Sequence, residues 1–170
     1  AIAMDIDAAG LPFLQGLTPP AGSKSVEELK TIVSWAERPF IIKGVMTARG
    51  AEKALEAGAS GIVVSNHGGR VLDHCPATAE VLPEIADAVG GKMTIFVDGA
   101  VRSGMDIFKA LALGADAVLI GRPFVTAVYG GGEEGVQCYV QKLKAELADT
   151  MRMCGAHSLA EIDRSMIYHG

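Results

Sequence analysis

Four short runs rich in Ile and Val constrain this chain more than any other feature: residues 40–45 (FIIKGV), 61–67 (GIVVSNH), 94–100 (TIFVDGA) and 118–123 (VLIGRP). β-Branched character without polar alternation predicts strands buried on both faces, the mark of a parallel sheet. Helical patterns lie between them. Ser25 and Glu28 have capping-box spacing and open a helix over 26–36, with Leu29, Ile32 and Val33 on one face. Further helices are predicted over 48–57, 79–89 and 103–113, the first and last closing on Gly58 and Gly114, residues suited to a left-handed helix end. A last helix over 135–153 follows a Gly-Gly-Gly turn. Alternation of this kind means βα units.

The chain also repeats itself. KALEAGASGIVV, starting at Lys53, aligns with KALALGADAVLI, starting at Lys109, and Leu29 and Ile32 match Leu82 and Ile85. A repeat of about 55 residues holding two βα units is what a duplicated (β/α) barrel shows. A complete eight-unit barrel takes roughly 200 residues or more, and this chain has 170. Four full units, with a preceding strand over 1–7, make residues 1–170 a single partial barrel domain of α/β class, about half of a (β/α)8 barrel.

Composition excludes several alternatives. Fifteen Lys+Arg against 20 Asp+Glu leave a formal net charge of −5 with no basic run, which argues against nucleic acid or an anionic membrane as partner. No apolar run approaches the roughly 18–20 residues of a membrane span. Cys75, Cys138 and Cys154 are odd in number and widely spaced, so neither a disulfide scaffold nor a metal site is expected. The default is a reducing compartment, here the cytoplasm. AIAMDIDAAG lacks the basic start of a signal peptide and a leading methionine, and opens in a strand-like segment. We read it as the start of a piece cut from a longer protein.

In barrels of this kind functional groups sit at the C-terminal ends of strands. Those ends carry Lys43-Gly44, then Ser65-Asn66-His67-Gly68-Gly69-Arg70, then Asp98-Gly99-Ala100-Val101-Arg102, then Gly121-Arg122-Pro123. Either of the last two loops alone is ordinary turn chemistry. Together, on adjacent strands, they point to a phosphate site, with glycines admitting backbone N–H groups and Arg102 and Arg122 offering planar forks of donors. The helix opening near Ser103 is expected to add its positive dipole end. His67 ends a buried strand, next to two glycines and Arg70, a setting for a general base with a carboxylate clamp. A structural histidine is the plain alternative, and His74, His157 and His169 lack any such setting. Lys43 is either a snorkelling lysine or a fixed positive charge beside a group that becomes anionic.

At these residues the sequence resembles the FMN-dependent 2-hydroxy acid oxidase and dehydrogenase family, which includes glycolate oxidase and lactate oxidase. IIKGVMTARGAEKALEAGASGIVVSNHGGRVLD, IFVDGAVRSGMDIFKALALGADAVLIGRPF and, more weakly, HSLAEI carry the resemblance over most of residues 25–165. It implies the C-terminal half of a TIM barrel holding FMN at its C-terminal face. It further implies that His67 is the active-site base, that Arg70 binds the substrate carboxylate and that Lys43 lies by the flavin N1/O2 edge. Ser65 would contact the flavin, and Asp98 the ribityl hydroxyls. Gly99, Arg102, Gly121 and Arg122 would bind the phosphate. Asp5 would take the place of the strand-four aspartate that orients the histidine. The implied reaction is oxidation of a small 2-hydroxy acid, lactate- or glycolate-like, to the 2-keto acid.

Three departures stand out. The family's second carboxylate-binding arginine has no counterpart in AAGLPFLQG. A DGG pattern becomes Asp98-Gly99-Ala100, which is tolerable if residue 100 avoids positive φ. The first half of the barrel, with an active-site tyrosine, is missing, so self-association into a homo-oligomer or assembly with an N-terminal half is expected. A half-barrel that binds FMN or another phosphate ligand without turnover is the first alternative. A different phosphate barrel, such as a type 2 isopentenyl diphosphate isomerase or an inosine monophosphate dehydrogenase relative, is the second. The SNHGGR pair and the lack of a cysteine in a Gly-rich loop speak against that last reading.

Overall fold

The computed structural model describes residues 1–7, 14, 16, 17 and 22–168. Five parallel strands stand side by side in sequence order: β1 (Ile2–Asp5), β2 (Phe40–Val45), β3 (Gly61–Val64), β4 (Thr94–Val97) and β5 (Ala117–Val118). A helix follows each one: α1 (Val26–Trp35), α2 (Ala48–Glu56), α3 (Thr78–Val89), α4 (Gly104–Ala112) and α5 (Arg122–Cys154). A parallel sheet wound in one direction, every crossover a helix, is an arc of a (β/α)8 barrel. The strand over 1–7 has its own helix, so the arc holds one unit more than the four counted from sequence.

The sheet's period of two divides its residues cleanly. Ile42, Ile62, Val64, Ile95 and Val97 are nearly or wholly buried and pack with Leu29, Ala51, Leu82, Ile85 and Val89 from the helices. Full burial of each large aliphatic side chain contributes about 1.5–3 kcal/mol, so this layer holds the sheet to its helices. The alternate residues face the barrel interior. In register, Asp5 lies beside Lys43 and Lys43 beside Val63, with Val63 beside Phe96. Two residues further along this face come Ser65 and Asp98. The same parity that builds the core therefore delivers Asp5, Lys43, Ser65 and Asp98 to one rim.

The helix signals hold in detail. Glu28 N–H donates to Ser25 Oγ at 3.2 Å and Ser25 N–H to Glu28 Oε2 at 2.7 Å, completing the capping box. Gly58 and Gly114 end α2 and α4 at φ of 86° and 106°, equivalent positions of the repeat. The last helix differs from expectation. It opens at Arg122 rather than after the glycine triplet, and only Gly132 breaks it (φ 53°, ψ −135°). Pro123 suits the start of this helix through its fixed φ and missing N–H, and β5 ends at Val118, opposite Val97 where β4 stops.

Candidate functional site

Beyond β3 the chain turns through three consecutive left-handed residues, His67 (φ 55°), Gly68 (φ 65°) and Gly69 (φ 76°). The predicted strand stops at Val64 because this 3-10 turn replaces its end. Asn66 caps the turn by accepting from Gly69 N–H at 3.2 Å. Glycine adopts such angles freely, whereas for histidine they cost about 1–3 kcal/mol. Hydrogen bonds hold the histidine there. His67 N–H donates to Ser65 Oγ at 3.1 Å, and ring Nδ1 lies 3.1 Å from Asp7 Oδ1.

The carboxylate partner of His67 is thus Asp7, and the expected Asp5 pairing is corrected. Asp5 Oδ1 instead accepts from Lys43 Nζ at 2.6 Å. Lys43 Nζ also stands 3.5 Å from His67 Nδ1. At 3.1 Å against 3.5 Å the carboxylate is the better partner, so Nδ1 carries the proton and Nε2 keeps a free lone pair. Sequence reasoning missed Asp7, although it lies two residues beyond Asp5 and so shares its face by strand parity. Gly44 makes room for it: at φ 101°, a Cβ on residue 44 would sit 2.7 Å from both Cβ and Cγ of Asp7.

Asp98 ends β4. Its Oδ2 accepts from Ser65 Oγ at 2.9 Å and its carbonyl from Thr78 Oγ1 at 2.6 Å. Oδ1 is buried without a partner among the described residues. Burial pushes the Asp98 carboxyl above the usual carboxylate range; the Ser65 hydrogen bond and Lys43 oppose this, and Asp7 reinforces it. Gly99 admits Thr78, whose Oγ1 would lie 2.9 Å from a Cβ there. Ala100 takes φ 58°, so the condition for tolerating alanine in the DGG pattern is not met, and this loop carries strain.

The loops expected to bind phosphate differ from expectation in one respect. The N-terminus of α4 is closed by carboxylates. Ser103 N–H and Arg102 N–H both donate to Asp106 Oδ2 at 3.0 Å, and Gly104 N–H donates to Glu146 Oε2 at 2.8 Å. Burial raises the Asp106 carboxyl, but hydrogen bonds from Ser103 and Arg102 outweigh it and hold the group below its ordinary value. Two carboxylates already answer the positive end of α4, so its dipole is not offered to a ligand. The N-terminus of α5, beginning at Gly121, has no side-chain cap.

All the sequence-predicted site residues except Asp5 and Ser65 line one cavity of about 490 Å³: Lys43, His67, Arg70, Asp98, Gly99, Arg102, Gly121 and Arg122. Arg70, Arg102 and Arg122 make no salt bridge among the described residues. The Arg122 guanidinium reaches across to Gly68, where a Cβ would lie 2.7 Å from it. Ser65 is fully buried behind the cavity wall. Residues 8–13 and 15 of the arginine-free stretch, and His169, lie outside the described residues. His74 and His157 are exposed, away from the cavity. Among the described residues, no helix is long and apolar enough to cross a membrane.

Comparisons with known proteins meet this geometry from another side. The profile described as FMN-dependent dehydrogenase matches residues 13–169. A peroxisomal (S)-2-hydroxy-acid oxidase of Oryza sativa subsp. japonica is 45% identical over 151 residues, covering 89% of this chain and 40% of the relative. Glycolate oxidase 3 of Arabidopsis thaliana is 47% identical over 145 residues, 85% of this chain and 39% of its own length. Among solved structures, mandelate oxidase with benzoyl-formic acid superposes with a TM-score of 0.80 at 40% identity, covering 86% of this chain and 44% of that one. The chain spans about two fifths of the length of the curated relatives it matches. Their names overturn the expected cytoplasmic location, since relatives from rice and Arabidopsis thaliana are named as peroxisomal.

Proposed function

Because the chain belongs to the FMN-dependent dehydrogenase family, we propose that it forms the cofactor- and proton-handling part of an enzyme that oxidises a small 2-hydroxy acid to the 2-keto acid. One observation carries the reading. An oriented histidine, Asp98 with one buried oxygen that has no partner, and three arginines without salt bridges among the described residues line one cavity.

The residues fit FMN. Asp98 Oδ1 is an acceptor awaiting a hydroxyl, which a ribityl chain supplies. Arg102, Arg122, Gly99 and Gly121 suit a phosphate, and the uncapped start of α5 suits it better than the carboxylate-closed start of α4. Lys43 supplies positive charge where an electron-rich ring edge would gain negative charge. Bound FMN provides the two-electron acceptor that side chains lack. His67 Nε2 takes a proton from the substrate, and the Asp7 carboxylate stabilises the resulting imidazolium. Arg70 holds the substrate carboxylate as a planar fork. Lactate and glycolate are the substrates we would try first.

The test is a visible absorbance spectrum of the purified chain with added FMN, then with anaerobic L-lactate or glycolate. Bound flavin that bleaches supports the full reading, and absence of flavin uptake overturns the cofactor assignment for this chain alone. A second reading rests on the coverage of its relatives: a chain two fifths their length binds FMN without turnover until the rest of a barrel pairs with the edges at β1 and β5. Bound flavin that never bleaches, and that bleaches once an N-terminal half is added, selects this reading. Sedimentation tests the pairing of the edges, and a well-behaved monomer counts against it.

A further inference from the structure

We propose that Ser65 is a positioning residue whose single hydroxyl holds His67 in its left-handed conformation and ties it to Asp98. The resemblance expects Ser65 to touch the flavin, yet its side chain is fully buried and does not line the cavity. The hydroxyl's single donor and one of its two acceptor sites are used within the protein. It accepts from His67 N–H at 3.1 Å and donates to Asp98 Oδ2 at 2.9 Å. A hydroxyl that accepts on one side and donates on the other transmits position, because turning it to improve one bond weakens the second.

The two groups it joins both need holding. His67 is a non-glycine residue at φ 55°, and among the described residues its N–H and its ring Nδ1 tether it. Asp98 has its backbone fixed, N–H to Val64 O at 3.1 Å and carbonyl from Thr78 Oγ1 at 2.6 Å. Among the described residues its side chain is held only by Ser65, and its other oxygen is buried without a partner beside the cavity that Asp98 lines. A ligand hydroxyl that draws this carboxylate into a hydrogen bond from the cavity settles Asp98, through it the Ser65 hydroxyl, and through that the backbone of His67. The direction of this effect rests on the reading of Asp98 as a cofactor-holding group; the link itself does not.

Amide hydrogen exchange in the 170-residue chain tests the link. Loss of one buried hydrogen bond speeds exchange by about fivefold. Ser65→Ala should produce that change at His67 N–H while Ile62 and Val64 in the same sheet stay slow. Ser65→Thr, which keeps the hydroxyl, should restore slow exchange. Asp98→Ala should speed His67 in the same direction although Asp98 does not touch it, and it carries the test if Ser65→Ala fails to fold. His67 exchange unchanged by both alanine variants overturns the link, as does a rise shared by every sheet amide. FMN titration by fluorescence quenching on Asp98→Ala separates the two claims: unchanged affinity overturns the cofactor reading and leaves the exchange result to decide Ser65.

Discussion

Gly44→Ala probes how His67 is oriented, through a residue that does not line the cavity. Residue 44 has φ 101°, outside the left-handed basin that alanine tolerates. The added methyl would lie 2.7 Å from Asp7 Cβ and Cγ and 3.0 Å from Oδ2. Carbon atoms settle at about 3.5–4.0 Å, so the Asp7 side chain must retreat by roughly an ångström. Its hydrogen bond to His67 Nδ1 starts at 3.1 Å and does not survive that displacement. Backbone strain of about 1–3 kcal/mol and loss of a charge-assisted hydrogen bond of about 1.5–3 kcal/mol sum to roughly 2.5–6 kcal/mol. That is a large share of the roughly 5–15 kcal/mol that holds a domain together. Urea unfolding reads the loss. The ¹⁵N shifts of the His67 ring read the chemistry, moving from a fixed Nδ1–H form toward a mixture of tautomers. A loss below about 1 kcal/mol, with unchanged ring shifts, would refute the argument that an empty Cβ position at residue 44 orients the histidine.

Asp98→Asn should stabilise the chain at pH 7. Burial raises this carboxyl, so the folded state binds the proton more readily than the unfolded one. Its contribution to stability then falls as pH rises from the ordinary carboxylate value through the raised one. Urea midpoints of variant and parent should converge as pH drops below the ordinary value, and parallel curves would contradict this. Arg102→Ala and Arg122→Ala should each weaken FMN binding on the order of 10–100-fold, read by flavin retained on dialysis; unchanged retention removes the phosphate role. Ala100→Gly relieves the strain at φ 58° but adds chain entropy to the unfolded state. The balance should be a gain of roughly 0–1 kcal/mol, and a loss above about 1 kcal/mol would show that the methyl is packed rather than strained.

The strand and helix plan was legible because its signals are local. Phe40–Val45 is a strand with the predicted bounds, since a β-branched run between breakers leaves few options. The same holds for the Ser25 cap and the paired glycines at 58 and 114. Strand ends were less legible. His67 and Asp98 both lie beyond strands that stop at Val64 and Val97, where turns through positive φ take over. The long helix after β5 was misread because three consecutive glycines predict a turn, whereas two of them are helical here and Gly132 alone makes the bend. The cavity's residues were nearly all visible as strand ends. Asp7 was not, because its role depends on a vacant Cβ in a neighbouring strand, and the closure of α4 depends on Glu146, 42 residues from Gly104.

That closure also sets a timetable. Tyr139 Oη donates to Arg102 O at 2.9 Å across 37 residues, and Glu146 reaches Gly104 across 42. A nascent chain that has just exposed Arg122 already carries every cation of the cavity, yet the loop between β4 and α4 still lacks both fastenings. At about 5–20 residues per second, the ribosome leaves that loop unfastened for seconds after its own sequence has emerged. The arginine-lined end of the cavity is completed only once Tyr139 and Glu146 have emerged, and a chain that stops short of them keeps His67, Lys43 and the arginines while losing the clasp.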